Sequence, residues 1–252
     1  FNFPTVEIIP HGVDTNIFFP LDGGAISERG RPFGRLEARR LIFPEAKDRD
    51  ERFIVLNANR NQSRKRIDIT IRGFALFAKG KPENVKLYLH MGVEDVGWNV
   101  LQLARRYGIE NRLLLSSLSK EHPVASAEQL NLIYNACDVG INTSTAEGWG
   151  LVSFEHAATG AAQIVPRHSA CQELWRDAAV MIEPAMALIN EGISTEGWLV
   201  TPEGVAEALE KLYLDPQYLV EMSGKALRVA HRPEYRWETV SGQWDMLFQQ
   251  TL

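Results

Sequence analysis

The chain of 252 residues carries a formal net charge of −5 and an isoelectric point near 5.8, which argues against general binding to nucleic acid or to anionic membrane surfaces. Apolar residues make up 45% and charged residues 23%, as in one large or two small globular domains, and no apolar run approaches the ~18 residues of a membrane-spanning helix. Two cysteines, Cys137 and Cys171, are too few for a disulfide framework and no signal peptide is visible, so a reduced, cytoplasmic setting is expected.

Residues 1–20 contain the run Ile8-Ile9-Pro10-His11-Gly12-Val13-Asp14-Thr15-Asn16-Ile17-Phe18. Residues 21–34, rich in glycine and charge, read as a flexible insertion, with a short helix over 36–41. A hydrophobic strand over 52–57 is followed by Ala58-Asn59-Arg60-Asn61-Gln62-Ser63-Arg64-Lys65-Arg66. Beyond it Ile67, Ile71, Phe74, Ala75 and Ala78 fall at offsets 0, +4, +7, +8 and +11, one face of a helix. Four cations therefore precede a helix N-terminus, where the dipole disfavours them unless an anion is present. Arg60 can fork onto a phosphate and Lys65 can act as a point charge; a solvated basic loop is the alternative.

A strand over 85–91, a helix over 99–107 closed by Gly108, a strand over 112–118 and a helix over 125–135 follow. The loop 119–123 reads as a connector that could also meet a nucleotide base. Residues 136–144 read as a buried strand ending in small polar side chains. Glu147 and Glu155 then bracket Gly148, Trp149, Gly150 and Leu151, with helical character over 151–160. A strand, a glycine-containing loop and a helix present free backbone N–H groups and a positive dipole end, a ready site for phosphate. Glu155 lies only about 6 Å along the axis from Leu151, and its side chain leans back toward that end. It can accept from two neighbouring ribose hydroxyls, while Glu147 sits where a sugar would lie. Two ordinary surface glutamates at a helix start are the alternative.

Strands over 162–166 and 180–182 flank a helix over 170–177, residues 183–197 read as a loop, and helices over 202–214, 217–230 and 237–249 close the chain. In the last, Trp237, Val240, Trp244, Leu247 and Phe248 form an apolar stripe, expected to pack in the core, with a docking surface as the alternative. Alternating strands and helices imply parallel βαβ units in a doubly wound α/β sheet. Ligands of such sheets bind outside the carboxyl ends of the strands, and both motif loops follow strands.

Together these motifs resemble the retaining nucleotide-sugar glycosyltransferases of family 4. The segment from Ile8 to Phe18 resembles the one that leads into that family's second domain. Arg60 and Lys65, with four residues between them, resemble its pyrophosphate-binding Arg and Lys, and Glu147 to Glu155 matches its E-x7-E signature. Arg66 departs from the pattern, standing where many relatives have glycine. The resemblance implies a GT-B architecture of two Rossmann-like domains. Residues 1–20 would be the interdomain linker, 21–235 the donor-binding domain, and 236–252 a helix crossing to a first domain. It also implies Arg60, Lys65 and Glu147 as the catalytic set, the first two neutralising the diphosphate and Glu147 orienting the sugar. Gly148, Trp149, Gly150 and Leu151 would contact the donor and Glu155 would hold its ribose.

Neither metal nor cofactor is implied; the donor is a nucleoside-diphosphate sugar and the acceptor a sugar or a lipid-linked group. The linker-like motif lies at 8–18 and the chain opens on Phe1, so an N-terminal acceptor domain is expected to be missing or supplied elsewhere. Many relatives act on lipid-linked acceptors, which adds peripheral membrane association to the cytoplasmic expectation. Two alternatives stay open: a nucleotide-sugar binding module inert without a partner domain, and another GT-B enzyme such as a sugar-nucleotide epimerase. The six histidines show no pair at metal-ligand spacing. The absence of G-x-S-x-G, G-x-x-x-x-G-K-[ST] and G-x-G-x-x-G patterns disfavours a serine hydrolase, a P-loop NTPase and a nicotinamide dehydrogenase.

Overall fold

The structure, a computed structural model, describes residues 6–21, 33–190 and 194–251. In chain order the elements begin with helix α1 (Phe33–Ile42), strand β1 (Phe53–Asn57), α2 (Ile67–Ala78), β2 (Val85–Leu89), α3 (Val100–Arg106) and β3 (Leu113–Leu115). Next come α4 (Ala127–Ala136), β4 (Val139–Ile141), α5 (Leu151–Ala158), β5 (Ala162–Pro166), α6 (Ser169–Trp175) and β6 (Val180–Ile182). A hairpin of β7 (Met186–Asn190) and β8 (Thr195–Leu199) precedes α7 (Pro202–Leu214), α8 (Pro216–Ala230) and α9 (Trp237–Thr251).

Six strands pair in parallel in the order β3-β2-β1-β4-β5-β6. This is a doubly wound order, and its direction reverses between β1 and β4, leaving a crevice at their carboxyl ends. Every residue of β1 is buried, as expected of a central strand covered on both faces. Alternation divides its side chains between two layers. Phe53 and Val55 join Ile71, Phe74, Val100, Val205 and Leu209 from α2, α3 and α7. Ile54 and Leu56 join Ala38, Tyr134, Phe154, Trp175 and Ala226 from α1, α4, α5, α6 and α8. Asp138, just before β4, accepts from the Ile54 amide at 2.7 Å and from the buried Arg39 guanidinium at 2.5 Å, tying α1 to the sheet.

Several expectations need correction. Residues 183–197 are not a plain loop: Met186 pairs with Leu199 through to Asn190 with Thr195 in an antiparallel ribbon. Its two strands are mostly exposed, so no alternation of apolar and polar residues marked them. β3 is shorter than the expected strand over 112–118, because Arg112 sits in a 3₁₀ turn and donates to the carbonyls of Lys81 and Pro82 at 2.6 Å each. The helix expected over 36–41 extends from Phe33 to Ile42. The insertion expected over 21–34 falls largely on residues 22–32, outside the described residues, although the Leu21 amide donates to Asn135 at 3.2 Å. The apolar stripe of α9 packs only in part. Val240 is buried, while Trp244 and Phe248 remain 45% and 56% exposed, so core packing does not account for them. Among the described residues no helix is long and apolar enough to cross a membrane.

Candidate active site

The β1→α2 and β4→α5 loops leave adjacent strands at the point of reversal, and hydrogen bonds join them edge to edge. The Thr145 amide donates to the Arg64 carbonyl at 2.8 Å, and the Thr143 hydroxyl lies 3.0 and 2.9 Å from the carbonyls of Lys65 and Arg66. Asn57, fully buried at the end of β1, turns the chain by accepting from the amide and side chain of Asn59 at 3.0 Å each. Asn59 in turn accepts from the Lys65 ammonium at 2.9 Å.

A 3₁₀ turn over Ser63–Lys65 and left-handed backbone at Arg66 (φ 48°) send neighbouring cations in different directions. Lys65 runs inward to an ion pair with Glu147 Oε1. Arg64 lies along the rim, 3.1 Å from the Ala146 carbonyl and 3.4 Å from Glu147 Oε2. Arg66 turns back onto Asp68 at 2.9 and 2.6 Å and lies over the Trp98 ring. Arg60, with a side chain 54% exposed, is drawn to Asp95 in the loop after β2, at 2.8 and 3.2 Å. Lys65 and Arg64 thus share Glu147, Arg66 is engaged locally, and Arg60 stands at the open edge.

The two glutamates sit in different environments. Glu147 is buried, and Oε1 also accepts from Asn142 Nδ2 at 2.9 Å and Ser144 Oγ at 2.8 Å. Burial alone would raise its carboxyl, but Lys65 and these hydrogen bonds outweigh it and hold the group below the usual range. Its partner Lys65 is pulled down by burial, with Glu147 opposing. Glu155, on α5, accepts from the Tyr134 hydroxyl at 2.8 Å. Burial pushes its carboxyl up, against the pull of Tyr134 and of His11 nearby. One carboxylate is therefore held ionised, and the other is poised to gain a hydrogen-bonding partner.

Gly150 begins α5 in left-handed backbone (φ 89°, ψ 54°), and no side chain caps the helix. Among the described residues, no hydrogen bond engages the amides of Gly148, Trp149, Gly150, Leu151 and Val152. A Cβ at Gly148 would meet nothing within 4 Å, so open space lies over this loop. The Trp149 ring instead stacks on Phe154 at 4.8 Å and meets Tyr235 edge-on at 5.2 Å. The Trp149 backbone amide stays open to a ligand. His156, a packing residue, is fully buried and pushed down to about 3, and His11 bonds locally to the Gly12 carbonyl at 3.0 Å.

Further residues complete the site: Asn59, Asn142 and Ser144 around the ion pair, Asp95 on Arg60, and Tyr134 on Glu155. Asn142 and Ser144 fall in the polar end of the run 136–144, a usable signal; Asp95 and Tyr134 come from remote elements. The loop 119–123 also reaches this edge, since the Asp95 amide donates to the Lys120 carbonyl at 2.8 Å and His122 stacks edge-on against His90. Among the described residues no group of three His, Cys, Asp or Glu side chains is arranged to hold a metal ion. The arrangement supplies three cations and a row of unengaged amides for an anion with several oxygens, with a carboxylate at either end for hydroxyl groups.

No family model matches the chain. The D-inositol 3-phosphate glycosyltransferase of Streptomyces griseus is 28% identical over 246 residues, covering 94% of this chain and 47% of that protein. Among solved structures, Anabaena HepE in complex with UDP and glucose superposes with a TM-score of 0.70 at 18% identity, over 97% of this chain and 57% of that one. The C-terminal domain of a group 1 family glycosyl transferase from Francisella tularensis superposes with a TM-score of 0.63 at 16% identity, over 90% of this chain and 100% of that one. The fold is that of a Rossmann-like domain of GT-B glycosyltransferases, and the sequence relative is a glycosyltransferase. The chain spans about half the length of that relative.

Proposed function

We propose that the chain is the donor-binding half of a retaining glycosyltransferase of the family 4 kind, which takes a sugar from a nucleoside diphosphate. The observation that carries this reading is the contact of Lys65 with Glu147, which joins a cationic and an acidic strand-to-helix junction where the strand order reverses. A diphosphate seated there meets Arg60, Lys65 and the amides of residues 148–152. Arg64 adds a further charge at the rim. Glu147 faces the hydroxyls of the transferred sugar, and Glu155 takes the ribose hydroxyls in addition to its Tyr134 contact.

As the bond from the sugar's anomeric carbon to the phosphate oxygen breaks, its electron pair moves to the leaving diphosphate and the sugar becomes oxocarbenium-like. Charge then grows where the guanidinium, ammonium and amide donors already point, so they bind the transition state more tightly than the ground state. An acceptor hydroxyl, from a sugar or a lipid-linked group, adds on the face the diphosphate leaves and gives its proton to the departing phosphate oxygen. The acceptor site belongs to a first domain, to which α9 would cross with its exposed Trp244 and Phe248.

The test is calorimetry with UDP followed by incubation of this chain, and of the protein carrying an acceptor domain, with UDP-glucose and free-sugar or sugar-phosphate acceptors. NMR of the anomeric proton is expected to show an α-linked product from the α-linked donor. A β-linked product contradicts retention. UDP binding without transfer until the first domain is supplied identifies a nucleotide-sugar binding module that is inert without its partner domain.

A further inference from the structure

Among the described residues the β7–β8 hairpin contributes no group to the site described above, yet its base is fastened to the loop that carries Glu147. Thr145, 2% exposed, is a three-way junction. Its amide donates to the Arg64 carbonyl at 2.8 Å, its carbonyl accepts from the Trp198 amide at 2.8 Å, and its hydroxyl donates to Asn190 Oδ1 at 2.8 Å. The cationic loop, the acidic loop and the hairpin therefore meet at one residue. On either side of it, Ser144 and Glu147 bond to each other at 2.8 Å, so the turn between them is tight.

Gly197 sets how close the hairpin comes. A Cβ built there would lie 2.6 Å from Asn190 Nδ2 and 3.1 Å from Thr145 Cβ, inside ordinary contact distance. Gly197 is the buried residue of β8, whose other residues are exposed or half-buried. A two-stranded ribbon is marginal on its own, so its attachment at Thr145 matters to both partners. A misplacement of about 1 Å in a catalytic group can lower a rate by about 100-fold, which makes a rigid support consequential.

We propose that the hairpin is a brace: Asn190 and Gly197 are positioning residues that act through Thr145 to hold Glu147 on Lys65. The consequence for catalysis rests on the donor-site reading; the brace itself does not. Thr145→Val keeps the shape of the side chain and both backbone hydrogen bonds of the junction but removes the hydroxyl, leaving Asn190 Oδ1 without its donor. Thr145→Ser keeps the hydroxyl.

The experiment follows the Glu147 carboxyl by ¹³C NMR titration in the wild type, Thr145→Val, Thr145→Ser and Gly197→Ala, with thermal midpoints and UDP affinity measured alongside. Thr145→Val and Gly197→Ala are expected to move the titration upward, toward that of a carboxyl without its lysine, and Thr145→Ser to keep the wild-type curve. UDP affinity should fall about tenfold in the first two variants and recover in the third. If the Glu147 titration is unmoved in both Thr145→Val and Gly197→Ala, or serine behaves as valine does, the brace is overturned. If the wild type binds none of UDP, GDP and ADP, the donor reading falls, and the titration still decides the brace.

Discussion

Replacing Lys65 by methionine leaves the Glu147 carboxylate buried without its nearest cation. The two side chains are 10% and 5% exposed, so the pair is almost entirely out of water. Removing one member of such a pair destabilises a protein by about 3–5 kcal/mol, because the remaining charge is uncompensated. The lower end, about 3 kcal/mol, is expected here: Asn142 and Ser144 still donate at 2.9 and 2.8 Å, and Arg64 remains 3.4 Å away. The pH dependence has a definite sign. In the wild type Glu147 titrates below its ordinary value of 4.5, so it contributes stability above that pH, which is lost as pH falls through the lowered value. In Lys65→Met, burial acts without the lysine and raises the carboxyl, so protonation relieves the penalty. Urea denaturation should show the full loss at pH 7 and a smaller loss at pH 4, with Glu147→Gln restoring part of the stability of Lys65→Met. An unchanged midpoint at pH 7, or a penalty that grows on acidification, would show that Lys65 does not compensate a buried Glu147 charge. Loss of donor turnover in a Lys65 variant would therefore mix folding with binding, a distinction invisible before the pair was placed.

Arg60 separates the two effects: it is exposed, with Asp95 as its salt-bridge partner. Arg60→Ala should keep the wild-type thermal midpoint while UDP affinity, read by calorimetry, falls about tenfold or more, as for a lost hydrogen bond to a charged group. Gly150→Ala forces a side chain into backbone at φ 89° and should cost about 1–2 kcal/mol in chemical denaturation. Gly148→Ala adds a methyl into open space, so it should leave stability alone and weaken UDP binding. Burial raises the Glu155 carboxyl, so its ionisation opposes folding, and the wild type loses stability as pH rises from its ordinary value of 4.5 through the raised one. Glu155→Gln should match the wild type in thermal melts at pH 4 and exceed it at pH 8, while binding UDP more weakly and inorganic pyrophosphate equally.

The sheet was legible where burial is continuous. Phe53–Asn57 and Ala162–Pro166 are unbroken buried runs, and the stripe from Ile67 to Ala78 matches the observed α2. Both motif loops could be assigned to one sheet edge, because each follows a parallel strand. Their adjacency could not be read locally, since it depends on β1 pairing with β4 across a separation of some eighty residues. Asp95 was hidden for the same reason: it lies 35 residues from Arg60, with backbone at φ 25° that no composition signal marks. The hairpin escaped notice because its strands present little apolar surface to a core and its tie to Thr145 is made by backbone and one hydroxyl. The α9 stripe shows a limit of periodicity: the pattern identifies an apolar face but not what covers it, and Trp244 and Phe248 remain about half exposed here.

The most direct measurement is a crystal structure of the chain soaked with UDP at saturating concentration. Phosphate oxygens are expected within hydrogen-bond distance of Arg60, Lys65 and the amides of residues 148–152, with the ribose on Glu155. UDP ordered elsewhere, with the Lys65–Glu147 contact and the Arg60–Asp95 contact both undisturbed, would contradict it.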